Sequence, residues 1–362
     1  MDVVKMDDIV SLCKRRGFIF QGSEVYGGLS GTWDYGPLGV ALKRNIMNLW
    51  WQMFVESRDD MYGVDAAILM NQKVWQASGH VDTFTDPLVE CSNCKARFRE
   101  DQIDKSKCPN CGKENTFGEA RQFKMMFKTN VGPVEDESSV SFLRPETAQG
   151  IFTNFKNVVD TLYPDLPFGL AQMGKAFRNE ISPRDFIFRS REFEQMEIEY
   201  FIHPDRWEES FEQWRVSVWE WIKAMGLPED KVHELEVVGE DRAHYSKRTI
   251  DFEFDFPIGR KELLGLAYRS DFDLQNIARE SGKSMDYIIK GTNEKIVPHV
   301  IEPSFGVERT IMAVLTSAYY EDEQNGEKRV YLKLPAQLAP IKMCVSPLLK
   351  NKPDLVEKAK QV

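Results

Sequence analysis

The sequence predicts an α+β fold, in which paired strands carry charge on one face, amphipathic helices pack on the apolar side, and a small four-cysteine module is inserted. Three observations predict it. Residues 177–201, FRNEISPRDFIFRSREFEQMEIEYF, read as strand, loop and strand, with Phe193, Gln195, Glu197 and Glu199 alternating against Met196, Ile198 and Tyr200. In residues 249–256, Ile250, Phe252, Phe254 and Phe256 alternate with Asp251, Glu253 and Asp255, and residues 262–271 continue the sheet. Residues 207–225 place Trp207, Phe211, Trp214, Val218, Trp221, Ile222 and Met225 at helical spacing, a stripe that reads as core packing.

A chain of 362 residues can bury a large core and carry one or two appended modules. No apolar run is long enough to span a bilayer, and the acidic residues 1–8 lack the blocks of a signal peptide, so a cytoplasmic protein is expected. A net charge of -10 argues against nucleic-acid binding by bulk electrostatics and leaves any such contact to local basic patches. The six cysteines fall as a quartet plus Cys13 and Cys344, and disulfides are not expected in that compartment.

Taken in order, Asp7 caps a first helix carrying Ile9, Val10, Leu12 and Cys13, which ends on basic residues 14–16 and stops at Gly17. Residues 18–20 form a short strand. After glycine-rich residues 22–39, a helix starts near Pro37 and runs to about Val55. Its stripe of Leu42, Ile46, Leu49 and Met53 is widened by Val40, Met47, Trp50, Trp51 and Phe54, so it is either buried all round or part of a subunit interface. Residues 65–70 read as a strand and 75–81 as a loop carrying His80.

Cys91 and Cys94, then Cys108 and Cys111 after thirteen residues, form two C-x2-C knuckles. That spacing presents four thiolates to one zinc and leaves no open coordination position, which predicts a structural zinc ribbon over residues 88–115. Lys95, Arg97, Arg99, Lys105, Lys107 and Lys113 make it basic, either as a nucleic-acid patch or as a solvated face.

Residues 123–127 and 140–143 read as strands, and 144–150 (RPETAQG) open a helix with Pro145 in its first turn and Phe152, Phe155, Val159 and Leu162 inside. In the 172–201 hairpin, Gln172, Gly174, Ala176, Arg178 and Glu180 share a face, while Met173, Lys175 and Phe177 take the other. Its loop, 181–190, holds Pro183, Arg184 and Arg189, which suit a phosphate-rich ligand. Asp205 caps the next helix, and Gly226 and Pro228 stop it. Residues 302–309 (EPSFGVER) read as a strand ending at Pro303 and a helix opening at about Gly306, with Val307, Ile311, Val314 and Leu315 inside. Arg309 then lies in a first helical turn, where an anion is favoured. Residues 321–328 read as a polar linker, 338–345 as a strand, 346–353 as a loop, and the chain from Asp354 as a helix.

The FRNE stretch with its basic loop and Arg-Glu-Phe resembles motif 2 of the class II aminoacyl-tRNA synthetases. The Gly-Pro-Leu-Gly helix resembles motif 1, the dimer-forming helix of that class, and residues 302–309 resemble motif 3. The continuations FEQMEIE and EPSFG are similar to the glycyl branch. The resemblance implies a class II antiparallel sheet flanked by helices, in a homodimer that joins glycine to ATP and passes the glycyl group to tRNA-Gly. It places a catalytic domain over residues 1–335, with the ribbon inserted at 88–115. Residues 336–362 resemble the start of an anticodon-binding domain that is expected to continue beyond the end of this chain.

Carried over residue by residue, the resemblance puts Arg178 on the α-phosphate, Arg309 on the γ-phosphate and Glu180 on the adenine amino group. Asn179, Phe188, Arg189, Ser190, Arg191, Glu192 and Phe193 would complete the nucleotide site, with Glu262, Leu263, Gly306, Val307 and Glu308; Glu262 would bind the magnesium that accompanies ATP. Glu146, Glu197 and Glu302 would surround the glycine ammonium, with Ser304 nearby. Arg99, Phe193, Glu194, Gln195, Met196, Pro303, Phe305 and Gly306 would complete the substrate side. A carboxylate near a helix start also complements the helix dipole, a second reading of Glu146. A substrate carboxylate is already a nucleophile at neutral pH, which fits a site rich in Arg and Glu and a chain whose five histidines are scattered. The rivals are a class II synthetase for another small amino acid and a non-catalytic tRNA-binding paralogue.

Overall fold

The structure, a computed structural model, describes residues 4–239, 242–243 and 245–362. Helix α1 (Met6–Arg16) begins one residue before the expected cap. Asp8 draws the start forward by accepting the Lys5 amide at 3.3 Å, and Gly17 closes the helix with a φ of 71°. Strands β1 (Ile19–Gln21) and β2 (Trp33–Tyr35) pair antiparallel around the glycine-rich loop. Helix α2 (Pro37–Trp51) runs on into a π-helical turn, Gln52–Glu56. Leu42, Ile46, Trp50 and Phe54 are buried, but Val40, Met47 and Trp51 are only half-buried, so one chain does not bury α2 all round.

The strand expected at 65–70 lies earlier, as β3 (Met61–Gly63); beyond it only Leu69 makes a bridge, to Leu143. Side chains take the carbonyls that a strand would use: Arg144 Nη1 donates to Ala66 O at 2.7 Å and Ser141 Oγ to Met70 O at 3.0 Å. The expected loop at 75–81 is instead two short helices, α3 (Gln72–Ala77), capped by Asn71, and α4 (His80–Thr83). The cysteine module hangs on β4 (Thr85–Glu90), β5 (Arg97–Arg99) and β6 (Arg121–Lys124), in the order β5-β4-β6. A hairpin of β7 (Lys128–Asn130) and β8 (Val140–Phe142) follows, so the strand expected at 123–127 is split. The split falls where the Met125 carbonyl accepts the Asn179 amide, at 2.7 Å.

Helix α5 (Ala148–Leu162) starts three residues after Pro145, because Arg178 Nε claims the Pro145 carbonyl at 3.0 Å; Glu146 therefore precedes the helix. The central hairpin is β9 (Phe168–Phe177) and β10 (Glu192–Ile202). A 3-10 turn, Pro204–Arg206, capped by His203, precedes α6 (Trp207–Ala224) and displaces Asp205 from the expected capping role. Strands β11 (Val232–Val237), β12 (Arg248–Phe256) and β13 (Gly259–Ser270) lead to α7 (Phe272–Ser281). A small pair, β14 (Tyr287–Ile288) and β15 (Lys295–Ile296), precedes β16 (His299–Gly306), which runs three residues past Pro303 into α8 (Val307–Ala318).

In place of the polar linker stands a hairpin, β17 (Tyr319–Gln324) and β18 (Glu327–Leu332), turned by Asn325 and Gly326 at φ 56° and 79°. The strand expected at 338–345 is absent among the described residues; Asn45 Nδ2 takes the Leu338 and Ala339 carbonyls at 3.0 Å each, and α9 (Pro353–Gln361) ends the chain.

The main sheet has seven strands in the order β11-β12-β13-β16-β10-β9-β3, antiparallel except for β3 against β9. Met196, Ile198 and Tyr200 enter the larger core with Trp50, Phe54, Trp214, Trp221 and Phe305. The opposite face is covered at one end by α5, whose Phe152 and Phe155 pack on Phe168 and Phe201. Its other end is open and polar, and there the site lies.

Candidate active site

The open end of that sheet face floors a cavity of about 440 Å³. Period two decides what enters it. Phe193, Gln195 and Glu197 of β10 line it, as do Glu302, Ser304 and Gly306 of β16. Glu194 and Met196 point away, Glu194 to an ion pair with Lys43 at 2.9 Å and Met196 into the core with Phe305 and Val307. The register sets Glu197 opposite Gln172 on one side and Ser304 on the other, as the alternation requires.

Arg99, Glu146, Arg178, Glu180, Phe188, Arg189, Ser190, Glu262, Leu263, Glu308 and Arg309 also line the cavity. Asn179, Arg191, Glu192, Pro303 and Val307 stand outside it. Arg191 is occupied by the Ser30 and Glu180 carbonyls at 2.7 and 3.0 Å, and Glu192 by Lys175. Sequence reasoning missed Asp86 and Asp251, which line the cavity, because a single aspartate carries no motif.

One pole of the cavity is cationic. Arg178 is clamped through the Pro145 carbonyl, between the rings of Phe84 and Phe193 at 5.4 and 5.3 Å. Arg309, in the first turn of α8, lies 3.0 Å from Glu262 and 4.7 Å from the Phe188 ring centroid; its charge, against burial, lowers the Glu262 pKa. Burial raises the Glu180 pKa, with Arg189, 3.9 Å away, opposing. Arg99 reaches in from β5 and is held by Asp86 at 2.9 Å and Asp101 at 2.7 Å.

The other pole is anionic. Burial alone would raise Glu146, but His80 at 3.3 Å, with Arg269 and Arg178, wins and holds it at about 2. His80 was assigned no role from sequence; it lies 66 positions before its partner and is anchored by Ser78 Oγ at 2.8 Å. Glu197 accepts Thr147 Oγ1 at 2.5 Å, Ser304 Oγ at 2.8 Å and Gln195 Nε2 at 3.3 Å, while burial and the Glu146 charge push its pKa up. Glu302 accepts Arg269 Nη1 at 3.0 Å on both oxygens, and Arg269 also binds Asp273 with two bonds of 2.8 Å. Such an arrangement can neutralise a polyanion at one end and grip a small cation at the other.

Outside the cavity, Cys91 and Cys111 Sγ are 3.8 Å apart, Cys94 and Cys108 Sγ are 3.7 Å apart, and all four sulfurs lie within 4.8 Å of one another. Thiolates about 2.3 Å from one tetrahedral zinc lie about 3.8 Å apart, so the quartet fits that ion.

Residues 127–318 match the family model of the tRNA synthetase class II core domain (G, H, P, S and T), and fold and site together define a class II synthetase. The Giardia lamblia prolyl-tRNA synthetase, solved in complex with prolyl-adenylate, shares the fold with a TM-score of 0.66 at 16% identity, over 99% of this chain and 61% of that one. The glycine–tRNA ligase of Caldanaerobacter subterraneus subsp. tengcongensis is 48% identical, over 96% of this chain and 81% of its own length. Those of Streptomyces coelicolor and Clostridium acetobutylicum are 47% and 48% identical, covering 98% and 100% of this chain and 82% and 84% of their own lengths. The chain belongs to the glycine–tRNA ligase family.

Proposed function

We propose that the protein activates glycine with ATP as glycyl-adenylate and passes the glycyl group to tRNA-Gly. One observation carries this reading: Glu146, Glu197 and Glu302, with Ser304, share a single cavity with Arg178 and Arg309. A glycine ammonium held by the three carboxylates turns its carboxylate toward the arginines. Glycine offers no side chain to grip, so affinity comes from its charged ends and selectivity from the lack of room for a methyl group.

In the first step a glycine carboxylate oxygen attacks the α-phosphorus of ATP, and the bond to the β-phosphate breaks to release pyrophosphate. Arg178 neutralises charge at the α-phosphate, and Arg309 exchanges its Glu262 partner for the γ-phosphate. Glu180 accepts a hydrogen bond from the adenine amino group under Phe188, Arg189, Ser190 and Phe193, which line the cavity. Glu262 would hold magnesium, which supplies further charge neutralisation at the phosphates. In the second step a terminal ribose hydroxyl of the tRNA attacks the glycyl carbonyl and AMP leaves.

The cysteine quartet would hold a structural zinc that shapes residues 88–115, an insertion in a catalytic domain of residues 1–335. Residues 336–362 would begin an anticodon-binding domain. The half-buried apolar side of α2 supports a homodimer through that helix. No described helix is long and apolar enough to cross a membrane, and a role in translation would place the protein in the cytoplasm. The test is ATP–pyrophosphate exchange measured across amino acids. Exchange is expected with glycine and is expected to be abolished by Arg178→Ala; exchange with serine or threonine but not glycine would refute the assignment.

A further inference from the structure

Glu199 has no role in the reaction as drawn. It is 0% exposed, at the point where the polar end of the sheet face meets the Phe152 and Phe201 cluster. Neither carboxyl oxygen has a hydrogen-bond partner among the described residues. One of its oxygens lies within 4.8 Å of oxygens of both Glu197 and Glu302. Leaving a buried ionised carboxylate unpartnered costs far more than leaving a neutral acid there.

The neighbouring groups are already matched. Arg269 is shared by Glu302 and Asp273, His80 serves Glu146, and three hydrogen bonds serve Glu197. With the His80–Glu146 pair set aside, Arg269 and one ligand ammonium bring two positive charges against the three carboxylates Glu302, Asp273 and Glu197, so a further negative charge at the inner end would stand unbalanced.

We propose that Glu199 is a neutral carboxylic acid in the folded protein, a positioning residue that closes the inner end of the ammonium site without adding charge to it. The role of the site rests on the glycine reading given above; the protonation state of Glu199 does not. The proton sits on Glu199 rather than Glu302 because Arg269 meets both Glu302 oxygens and neither Glu199 oxygen. Facing Glu199 are Glu302 of β16, Arg269 of β13, Asp273 of α7 and Glu197 of its own strand. Burial, then the Glu302 charge, push its pKa well above 4.5, with Arg269 opposing.

The experiment compares the thermal stability of Glu199→Gln and the wild type across pH, with no substrate present. The wild-type unfolded state ionises Glu199 above its ordinary 4.5 while the folded state keeps the proton. Wild-type stability therefore falls, relative to a variant that cannot ionise, as pH rises through that value. The expected result is a Tm gap near zero at about pH 4 that widens in favour of the Gln variant toward neutral pH. The wild-type-minus-variant infrared spectrum at neutral pH is expected to carry the carbonyl stretch of a protonated acid. A gap that widens in favour of the wild type, a carboxylate band in place of the acid band, or a Gln variant that fails to fold would each overturn the proposal. Because no substrate is used, these results leave the glycine reading standing; wild type without glycine-dependent exchange would count against that reading alone.

Discussion

Glu197→Gln isolates the charge on the floor of the proposed ammonium site. Glu197 is 2% exposed and sits between the Thr147 and Ser304 hydroxyls, so the isosteric amide keeps the volume, removes the charge and exchanges one acceptor oxygen for a donor NH2. A cation about 4 Å from a carboxylate at an effective dielectric of about 20 gains about 4 kcal/mol. On the proposed reading Glu146 and Glu302 share the same ammonium, and truncated buried pairs cost about 2–5 kcal/mol, so about 3 kcal/mol is expected here. At 1.4 kcal/mol per tenfold, kcat/KM for glycine falls about 100-fold. The pole proposed for ATP is the opposite one, and the KM for ATP is expected to change by less than about threefold. The stranded Thr147 hydroxyl costs about 1 kcal/mol of stability. The assay is pyrophosphate exchange with glycine and ATP varied separately, beside a thermal melt. An equal loss on ATP, or a loss on glycine below about threefold, would refute the placement of the ammonium.

Three further outcomes follow from the same geometry. Gly39→Ala puts a Cβ 1.9 Å from the Phe18 carbonyl oxygen and 2.8 Å from its carbon, both backbone atoms that cannot rotate away; a loss of about 3 kcal/mol is expected in a urea melt, and an unchanged midpoint would contradict the packing of α2 on residue 18. Metal analysis is expected to return about one zinc per chain, lost in Cys108→Ser; because Arg99, expected on the substrate side, stands instead at the cationic pole and is carried by the same module, the variant is expected to raise KM for ATP more than for glycine, and equal KM values would disconnect the module from the site. Glu146, held at about 2 by His80 against an ordinary 4.5, contributes stability that is present above 4.5 and lost as pH falls toward 2; His80→Ala is therefore expected to unfold at a higher pH on acid titration, and an identical acid midpoint would remove His80 from that pair.

The charged face of β9 and β10 was legible because a strand has period two: once Met196, Ile198 and Tyr200 are inside, Gln195, Glu197 and Glu199 must share the other face. What holds those carboxylates was not legible. Thr147 and Glu197 are 50 positions apart and Arg269 and Glu302 are 33 apart, so only the folded sheet brings them together. The strand expected at 65–70 failed because the side chains of Arg144 and Ser141 take its carbonyls, a competition that alternation of apolar residues does not record. The hairpin at 319–332 was readable in principle, since Asn325-Gly326 is a strong turn signal, but its charged strands resembled a linker.

One cavity is proposed to hold the ammonium of glycine at its Glu146, Glu197 and Glu302 pole and ATP at its Arg178 and Arg309 pole. ATP–pyrophosphate exchange with each amino acid in turn, on wild type and Arg178→Ala, tests it most directly. Exchange that depends on glycine and disappears in the variant is the predicted result; exchange driven by another amino acid, or glycine exchange untouched in Arg178→Ala, would contradict it.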